Sequence, residues 1–327
     1  MPEELLIVAD IGGTNIRFAQ ARQGRLEHLQ VYLCRHFPSL RDALSCYLKT
    51  CENTRIRLCL AIAGPVAGDR ITMTNLNWSF SKNALKAELA LAELHVINDY
   101  EAIALSIPKL AIPKPGRESR YPIGAGEAQA GSPIAVCGPG TGLGVAHLIY
   151  NRGQWLALPG EGGHVDFAAT NPQEQAIFNI LQRQHGHVSA ERLLSGPGLK
   201  AIYLALCEIE NQPPEALDPQ QISARALAAS CPLCCAALNH FCEILGSFAG
   251  NLALILGSFG GVYIAGGIVP GFLDFFRTSG FRERFEAKGR YRGYNAAIPT
   301  YVITEPYPGM LGAALFLEQH SMAEPLP

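Results

Sequence analysis

Two stretches of this sequence follow one plan: residues 6–21, "LIVADIGGTNIRFAQA", and residues 134–150, "IAVCGPGTGLGVAHLIY". Each reads as an apolar strand, a glycine-threonine turn and a second strand. Aligned, Asp10 falls opposite Gly138, Gly12 opposite Gly140, and Gly13-Thr14 opposite Thr141-Gly142. A plain hairpin needs only one or two turn residues. A turn built from an acid, two glycines, a threonine and an asparagine implies that something rests against it. Because the match extends into both flanking strands, the expectation is a duplicated domain rather than a chance sharing of glycines.

The remaining pattern is α/β. "IRLCLAIAGPV" reads as a buried strand ending at Gly64-Pro65, and "LHVINDY" as another, ending at Asn98-Asp99 before the helix-like "EAIALSI". Residues 108–133 are rich in Pro and Gly without periodicity, which places a domain crossing there. The second half is more helical ("PQEQAIFNILQRQHG", "GPGLKAIYLALCEIE", then 233–257), and the chain closes with strand "TYVITE" and helix "GMLGAALFLEQH".

Composition excludes several partner classes. Across 327 residues, 48% are hydrophobic and 17% charged, with a formal charge of −2, so neither nucleic acid nor an acidic membrane surface is an expected partner. "MPEELLIVAD" is acidic where a signal peptide would be basic, so export is not expected, and the ten cysteines read as reduced thiols in the cytoplasm. "CPLCC" (Cys231, Cys234, Cys235) looks like half a zinc site, but no second C-x-x-C exists and the segment has helical spacing. Residues 244–273 carry no charge, yet Gly260-Gly261 and Gly266-Gly267 cut the run. It reads as a buried helix, whose glycines in "GSFAG" allow close approach, and a buried strand, not as a membrane span.

The glycine turns present consecutive backbone N–H groups, which attract phosphate, and Thr adds a hydroxyl donor. An acid at position 10 can hold a hydrated Mg²⁺ that bridges phosphate oxygens. No G-x-x-x-x-G-K-[ST] occurs, and "GPGLKA" at 196–201 reads as a helix start because no buried strand leads into it. Asp99 at a strand's carboxyl end can line a ligand site or merely cap the following helix. Glu161 and His164 in "LPGEGGHVDF", and Glu191 in "HVSAERLLSGPG", each have an ordinary surface reading when taken alone.

Together, "ADIGGTN", "MTNLNWSF", "VINDYEAIALSIP", "GPGTGLGVAHL", "LPGEGGHVDFA", "HVSAERLLSGPGL" and "GGVYIAGGIVPGFL" resemble, in order and spacing, the ATP-dependent glucokinases of the proteobacterial type, from about residue 5 to about residue 317. The resemblance implies a duplicated ribonuclease H-like (actin/hexokinase-type) α/β fold of two domains with a cleft between them. Residues 1–112 with about 305–327 would form the smaller domain and 113–304 the larger. It implies that Asp99 accepts the proton of the sugar's 6-hydroxyl, and that Asn75, Asn98, Glu161, His164 and Glu191 bind sugar hydroxyls. Asp10, Gly12, Gly13, Thr14, Asn15, Gly140, Thr141 and Gly142 would hold ATP phosphates, with Mg²⁺ at Asp10 through water, and Gly266-Gly267 would lie against adenosine. Glucose and ATP are the implied partners, in a homodimer. Kinases of the repressor–open-reading-frame–kinase group add a C-x-C-G-x-x-G-C zinc segment soon after the His. "VDFAATNPQEQ" stands there instead, so no structural zinc is expected. The rivals are a kinase for fructose or N-acetylmannosamine, and a non-catalytic sugar sensor, against which Asp99 and Asp10 both argue.

Overall fold

The run "LLIVADI" forms the middle strand of a sheet because both of its faces find cover. In the computed structural model, which describes residues 4–22, 24–51, 55–73, 76–110 and 118–321, it is β1 (Glu4–Ile11). Beside it lie β2 (Asn15–Arg22), β3 (Arg25–Leu33), β4 (Arg55–Ile62) and β7 (Glu93–Asn98), in the order β3-β2-β1-β4-β7. A two-stranded ribbon, β5 (Arg70–Thr72) with β6 (Ser79–Ser81), stands apart from this sheet. These strands belong to the first of two units, drawn from Met1–Pro115, Trp155–Pro159 and Glu305–Pro327.

Alternate residues of β1 and β4 bury in opposite directions. Ile7, Ala9, Ile11, Leu58, Leu60 and Ile62 share a core with Leu40, Leu44 and Tyr47 of α1 (Leu40–Leu48). On the other face Val8, Cys59 and Ala61 meet α3 (Asp99–Leu110) and α11 (Pro308–Ser321) through Ala102, Met310, Ala313 and Leu317. Burial on both faces is what a near-continuous apolar strand requires. The second face is built from small side chains, so α3 and α11 come together backbone to backbone. A methyl group on Gly312 would overlap the carbonyl oxygen of Ala102 outright. The buried Arg57 ties the same region, donating to Glu93 (2.7 Å) and to the Leu317 carbonyl (3.2 Å).

The second unit comprises Gly116–Gln154 and Gly160–Thr304. Its strands β8 (Arg120–Ile123), β9 (Ile134–Pro139), β10 (Leu143–Asn151), β12 (Gly261–Ile264) and β13 (Thr300–Ile303) lie in the order β10-β9-β12-β13-β8. Strand β9 runs antiparallel to β10 and parallel to β12, which is parallel to β13. In the first unit β1 runs antiparallel to β2 and parallel to β4, which is parallel to β7. The two sheets therefore share order and sense over four strands. The turns differ in length: the last β1–β2 pair is Ile11 with Ile16, enclosing residues 12–15, whereas the last β9–β10 pair is Pro139 with Leu143, enclosing 140–142.

Helices α4 (Pro172–His185), α5 (Gly196–Ile209), α6 (Pro219–Leu227) and α7 (Pro232–Leu256) each begin with a capping side chain and an early proline. Among the described residues α7 is the one helix long and apolar enough to cross a membrane. Of its most apolar stretch, 67% is buried within the protein, where Phe241, Leu245 and Phe248 pack into the unit's core. Gly250 admits the backbone of α9 (Phe281–Glu286), since a Cβ there would lie 2.5 Å from the Phe285 oxygen. The glycines of "GSFAG" thus do what small residues in a helix face allow.

An alanine at an ordinary helix position gains about 0.5–1 kcal/mol over glycine. At Gly312 the sign reverses: Gly312→Ala forces α11 off α3 and is expected to cost about 1–3 kcal/mol. Urea unfolding should show a lower midpoint, and an equal or higher midpoint would contradict the packing described.

Candidate active site

Strand register brings three chain exits of the first unit to one edge. Ile11 of β1 pairs with Ile62 of β4, and Ile62 pairs with Asn98 of β7, all in parallel. The turn after Ile11, the turn at Gly64-Pro65 and the start of α3 at Asp99 therefore leave the sheet at one level, its carboxyl edge, where open α/β sheets bind ligands. The first turn is braced from below. Gly12 N–H donates to the Asn15 oxygen (3.0 Å) and Cys34 N–H donates to the Thr14 oxygen (2.9 Å), while Gly13 and Thr14 stand exposed.

Asp10 sits one residue before this turn, paired across the ladder with Arg17. The guanidinium approaches its carboxylate to 3.0 Å. Burial pushes the Asp10 carboxyl up, and the charge and hydrogen bond of Arg17 pull against that. The N-terminal turn of α11 lies close by, with a Cβ at Gly309 reaching to 3.9 Å from the Asp10 carboxyl.

At β7 the helix cap falls to the asparagine, not to the aspartate. Asn98 Oδ1 accepts the N–H groups of Tyr100 (2.9 Å) and Glu101 (3.2 Å), and Glu101 accepts the Asn98 N–H (3.3 Å), forming a capping box. Asn98 Nδ2 donates to the Gly64 oxygen at 3.3 Å. Asp99 is left at the first helical position, half-buried, its Oδ1 accepting the Tyr100 N–H at 3.0 Å. The amide-rich end of a 12-residue helix favours a negative charge there. Asn75 lies outside the described residues.

In the second unit the turn Gly140–Gly142 closes through Gly140 N–H to the Gly142 oxygen (2.8 Å). Glu191 reaches this turn: its Oε2 accepts the N–H of Leu143 at 2.8 Å. The approach requires Gly142, because a Cβ there would lie 2.5 Å from Glu191 Oε2. Glu161 and His164 are exposed on either side of Gly162-Gly163, and a methyl on Gly163 would overlap the Leu143 oxygen. Their loop is stitched to the one carrying Glu191 by Ala190 N–H to Val165 O (2.9 Å), Phe167 N–H to Val188 O (3.0 Å) and the Asp166–Ser189 bridge. Glu161, His164, Glu191 and the second glycine turn therefore form one neighbourhood.

Next to that turn a cavity of about 610 Å³ opens, within the range of small-molecule sites. Gly140 and Thr141 line it, with Gly267, Ile268 and Phe272 from the turn after β12. Gly266 (φ +83°) presses against the end of β9, where a Cβ would collide with the Pro139 oxygen, whereas a Cβ on Gly267 would meet nothing within 4 Å. The rest of the wall was not foreseen: Gly196 and Pro197 at the start of α5, and Pro219, Gln220 and Ser223 on α6. "GPGLKA" is indeed a helix start, with Ser195 capping it, but Gly196 also donates to the Gly140 oxygen at 2.9 Å. For α6 the available signal was "DPQQ", in which Asp218 and Gln221 form a capping box after which Pro219 opens the helix.

Elsewhere Glu174, His240 and Glu243 bring metal-capable atoms within 4.8 Å of one another. The Arg284 guanidinium already lies among them, 2.7 Å from Glu174 and 3.6 Å from Glu243.

A family model described as Glucokinase matches residues 7–320. The glucokinase of Pectobacterium atrosepticum is 50% identical over 316 residues, covering 96% of this chain and 97% of that protein. The crystal structure of a glucokinase from an Antarctic psychrotroph superimposes with a TM-score of 0.86 at 37% identity, covering 96% of this chain and 99% of that one. A glucokinase from Balamuthia mandrillaris, solved in complex with glucose, shares the fold at 22% identity with a TM-score of 0.78, over 97% and 94% of the two chains.

Gly142→Ala is expected to unseat Glu191 from the Leu143 amide. That hydrogen bond to a charged acceptor contributes about 1.5 kcal/mol, so exchange of the Leu143 amide with solvent should speed up by roughly tenfold. Unchanged protection would mean that Glu191 does not hold the turn.

Proposed function

The chain belongs to the glucokinase family, and from that premise we propose that it transfers the terminal phosphoryl group of ATP to the 6-hydroxyl of glucose, giving glucose 6-phosphate and ADP. The observation that carries the reading is its 50% identity, over nearly the whole of both chains, with a glucokinase.

The residues expected to act fit the chemistry. In phosphoryl transfer a protein mainly positions reactants and neutralises charge, so one base, backbone donors and a cation are sufficient. Asp99 is the base: it accepts the 6-hydroxyl proton as the oxygen attacks phosphorus. Its place on the first turn of α3, next to an asparagine that takes over the capping, supports this role. Asn98 sets that geometry and, with Asn75, contributes to sugar binding. Glu161, His164 and Glu191 offer carboxylate and imidazole groups to adjacent sugar hydroxyls. A missing or inverted hydroxyl leaves such groups unpaired, which is how the site discriminates between hexoses.

In the turns Gly12–Asn15 and Gly140–Gly142, backbone amides other than those of Gly12 and Gly140, which close the turns themselves, bind phosphate oxygens, and adenosine takes the cavity beside Gly140, where Gly266-Gly267 turns. The open space over Gly267 and the cavity volume fit such a group. Asp10 is a hard oxygen donor at the edge of its turn; Arg17 takes its Oδ2, and because the pair is part-exposed its other oxygen fits Mg²⁺ held at a distance through water, which when bound neutralises charge on the phosphates. The shared order and sense of the two sheets support the duplicated ribonuclease H-like fold. The family resemblance extends the proposal to a homodimer in the cytoplasm.

Assays with ATP and a panel of hexoses, coupled to glucose 6-phosphate or ADP formation, test the substrate. Glucose should give the highest kcat/KM, and a higher value for fructose or N-acetylmannosamine would move the assignment to that sugar. Asp99→Asn should lower kcat by about 10²–10⁴-fold while the KM for glucose stays within a few-fold. Turnover by this variant at the parent rate would remove Asp99 as the base.

A further inference from the structure

The motif Cys231-Pro232-Leu233-Cys234 has no part in the kinase reading, yet it opens the longest helix among the described residues. Cys231 is the N-cap of α7, extended at φ −142°, ψ 113°, and its Sγ accepts the Cys234 N–H at 3.4 Å. Residues three apart across a first helical turn are neighbours, and the backbone of Cys234 already lies against the Cys231 sulfur. Pro232 presets the backbone between them.

We propose that Cys231 and Cys234 form a redox-active dithiol that closes to a disulfide by exchange with a small-molecule disulfide such as oxidised glutathione.

The two thiols differ as an attacking and a resolving thiol should. Cys231 is only partly buried and Cys234 fully buried. Burial penalises a thiolate at Cys231, but the Cys234 amide and thiol, the Leu233 amide and the nearby Arg225 outweigh it, and the Cys231 thiol is held below its ordinary range. Burial and the neighbouring Cys231 push the Cys234 thiol up. Cys235 is engaged elsewhere, donating to the Ala226 oxygen at 3.5 Å. Buried Cys137 and Cys242, pushed up to about 12 by burial, lack that reactivity.

The reaction balances without a further reagent. The Cys231 thiolate attacks one sulfur of the small disulfide, forming a mixed disulfide and releasing one thiolate. The sulfur of Cys234, giving up its proton to solvent, then attacks Cys231 and displaces the second. The two protein thiols are oxidised, the disulfide is reduced to two thiols, and these carry away the two protons.

The test is independent of kinase activity. Full-length protein is reduced, freed of reductant, incubated with oxidised glutathione and mapped by mass spectrometry, in parallel with Cys231→Ser and Cys234→Ser. The parent should lose two hydrogens within the peptide that holds Cys231 and Cys234, and dithiothreitol should restore them. Cys234→Ser should trap one glutathione on Cys231, and Cys231→Ser should react at this peptide at least about tenfold more slowly than the parent. The proposal is overturned if the parent keeps an unresolved glutathione adduct on Cys231, or if exposed Cys46 reacts while both thiols of the motif stay free.

Discussion

The chemistry of the first unit rests on a steric fact, the contact between α3 and α11 at Gly312. Asp99 follows directly on β7, so its position is that of the α3 N-terminus, and the tilt of α3 is set by what packs over it. The small side chains of β1 and β4 on that face, Cys59 and Ala61 among them, leave room for two helices only if those helices touch through backbone. The same α11 presents Gly309 to the carboxyl of Asp10. One close-packed helix pair therefore fixes both acids of the edge, and parallel register ties that edge to the glycine turn. A core held at native density transmits such constraints because it has little slack.

The second unit repeats the plan with different electrostatics. Where the first sheet carries Asp10 in the strand, balanced across the ladder by Arg17, the second has Gly138. Its carboxylate comes from outside the sheet: Glu191, on a separate loop, accepts the amide that follows the turn. The in-strand acid shares its charge with Arg17. An imported one stiffens the turn by using its charge on a backbone amide, which is a strong hydrogen bond. The two halves thus differ: one carries an acid within its strand, and the other a braced turn beside a cavity.

Much of this was legible in the sequence, and the limits have physical reasons. The paired strand–turn–strand plan was readable because burial on both faces imposes long apolar runs and tight turns impose glycine. Helices α4, α5, α7 and α11 were readable from apolar spacing. Strand β3 was not, since none of its residues is fully buried and "RLEHLQVYL" alternates weakly. Helix α6 buries only Ile222 and Ala226, so its periodicity is faint, and the capping box at Asp218 was its one clear mark. The cavity wall was illegible for a different reason: no local signal says that the starts of α5 and α6 converge on Gly140. The division of labour at Asn98-Asp99 was also hidden, because either residue type can cap a helix and only the hydrogen bonds decide.

The cluster of Glu174, His240 and Glu243 shows why ligand-type residues in proximity are not by themselves a metal site. Glu174 is fully buried, and an isolated carboxylate there would carry a penalty of several kcal/mol. Burial drives its carboxyl up, yet Arg284 and the amide and hydroxyl of Thr170 more than compensate and hold it below the usual range. Arg284 also donates to Ser247 at 2.8 Å, joining the start of α4 to α7 and α9. A divalent cation here would lie against a guanidinium, and the like-charge repulsion in a poorly screened interior would undo the pairing that makes the burial tolerable. The cation this site is built around is Arg284 itself, and what it holds together is the helical layer of the second unit.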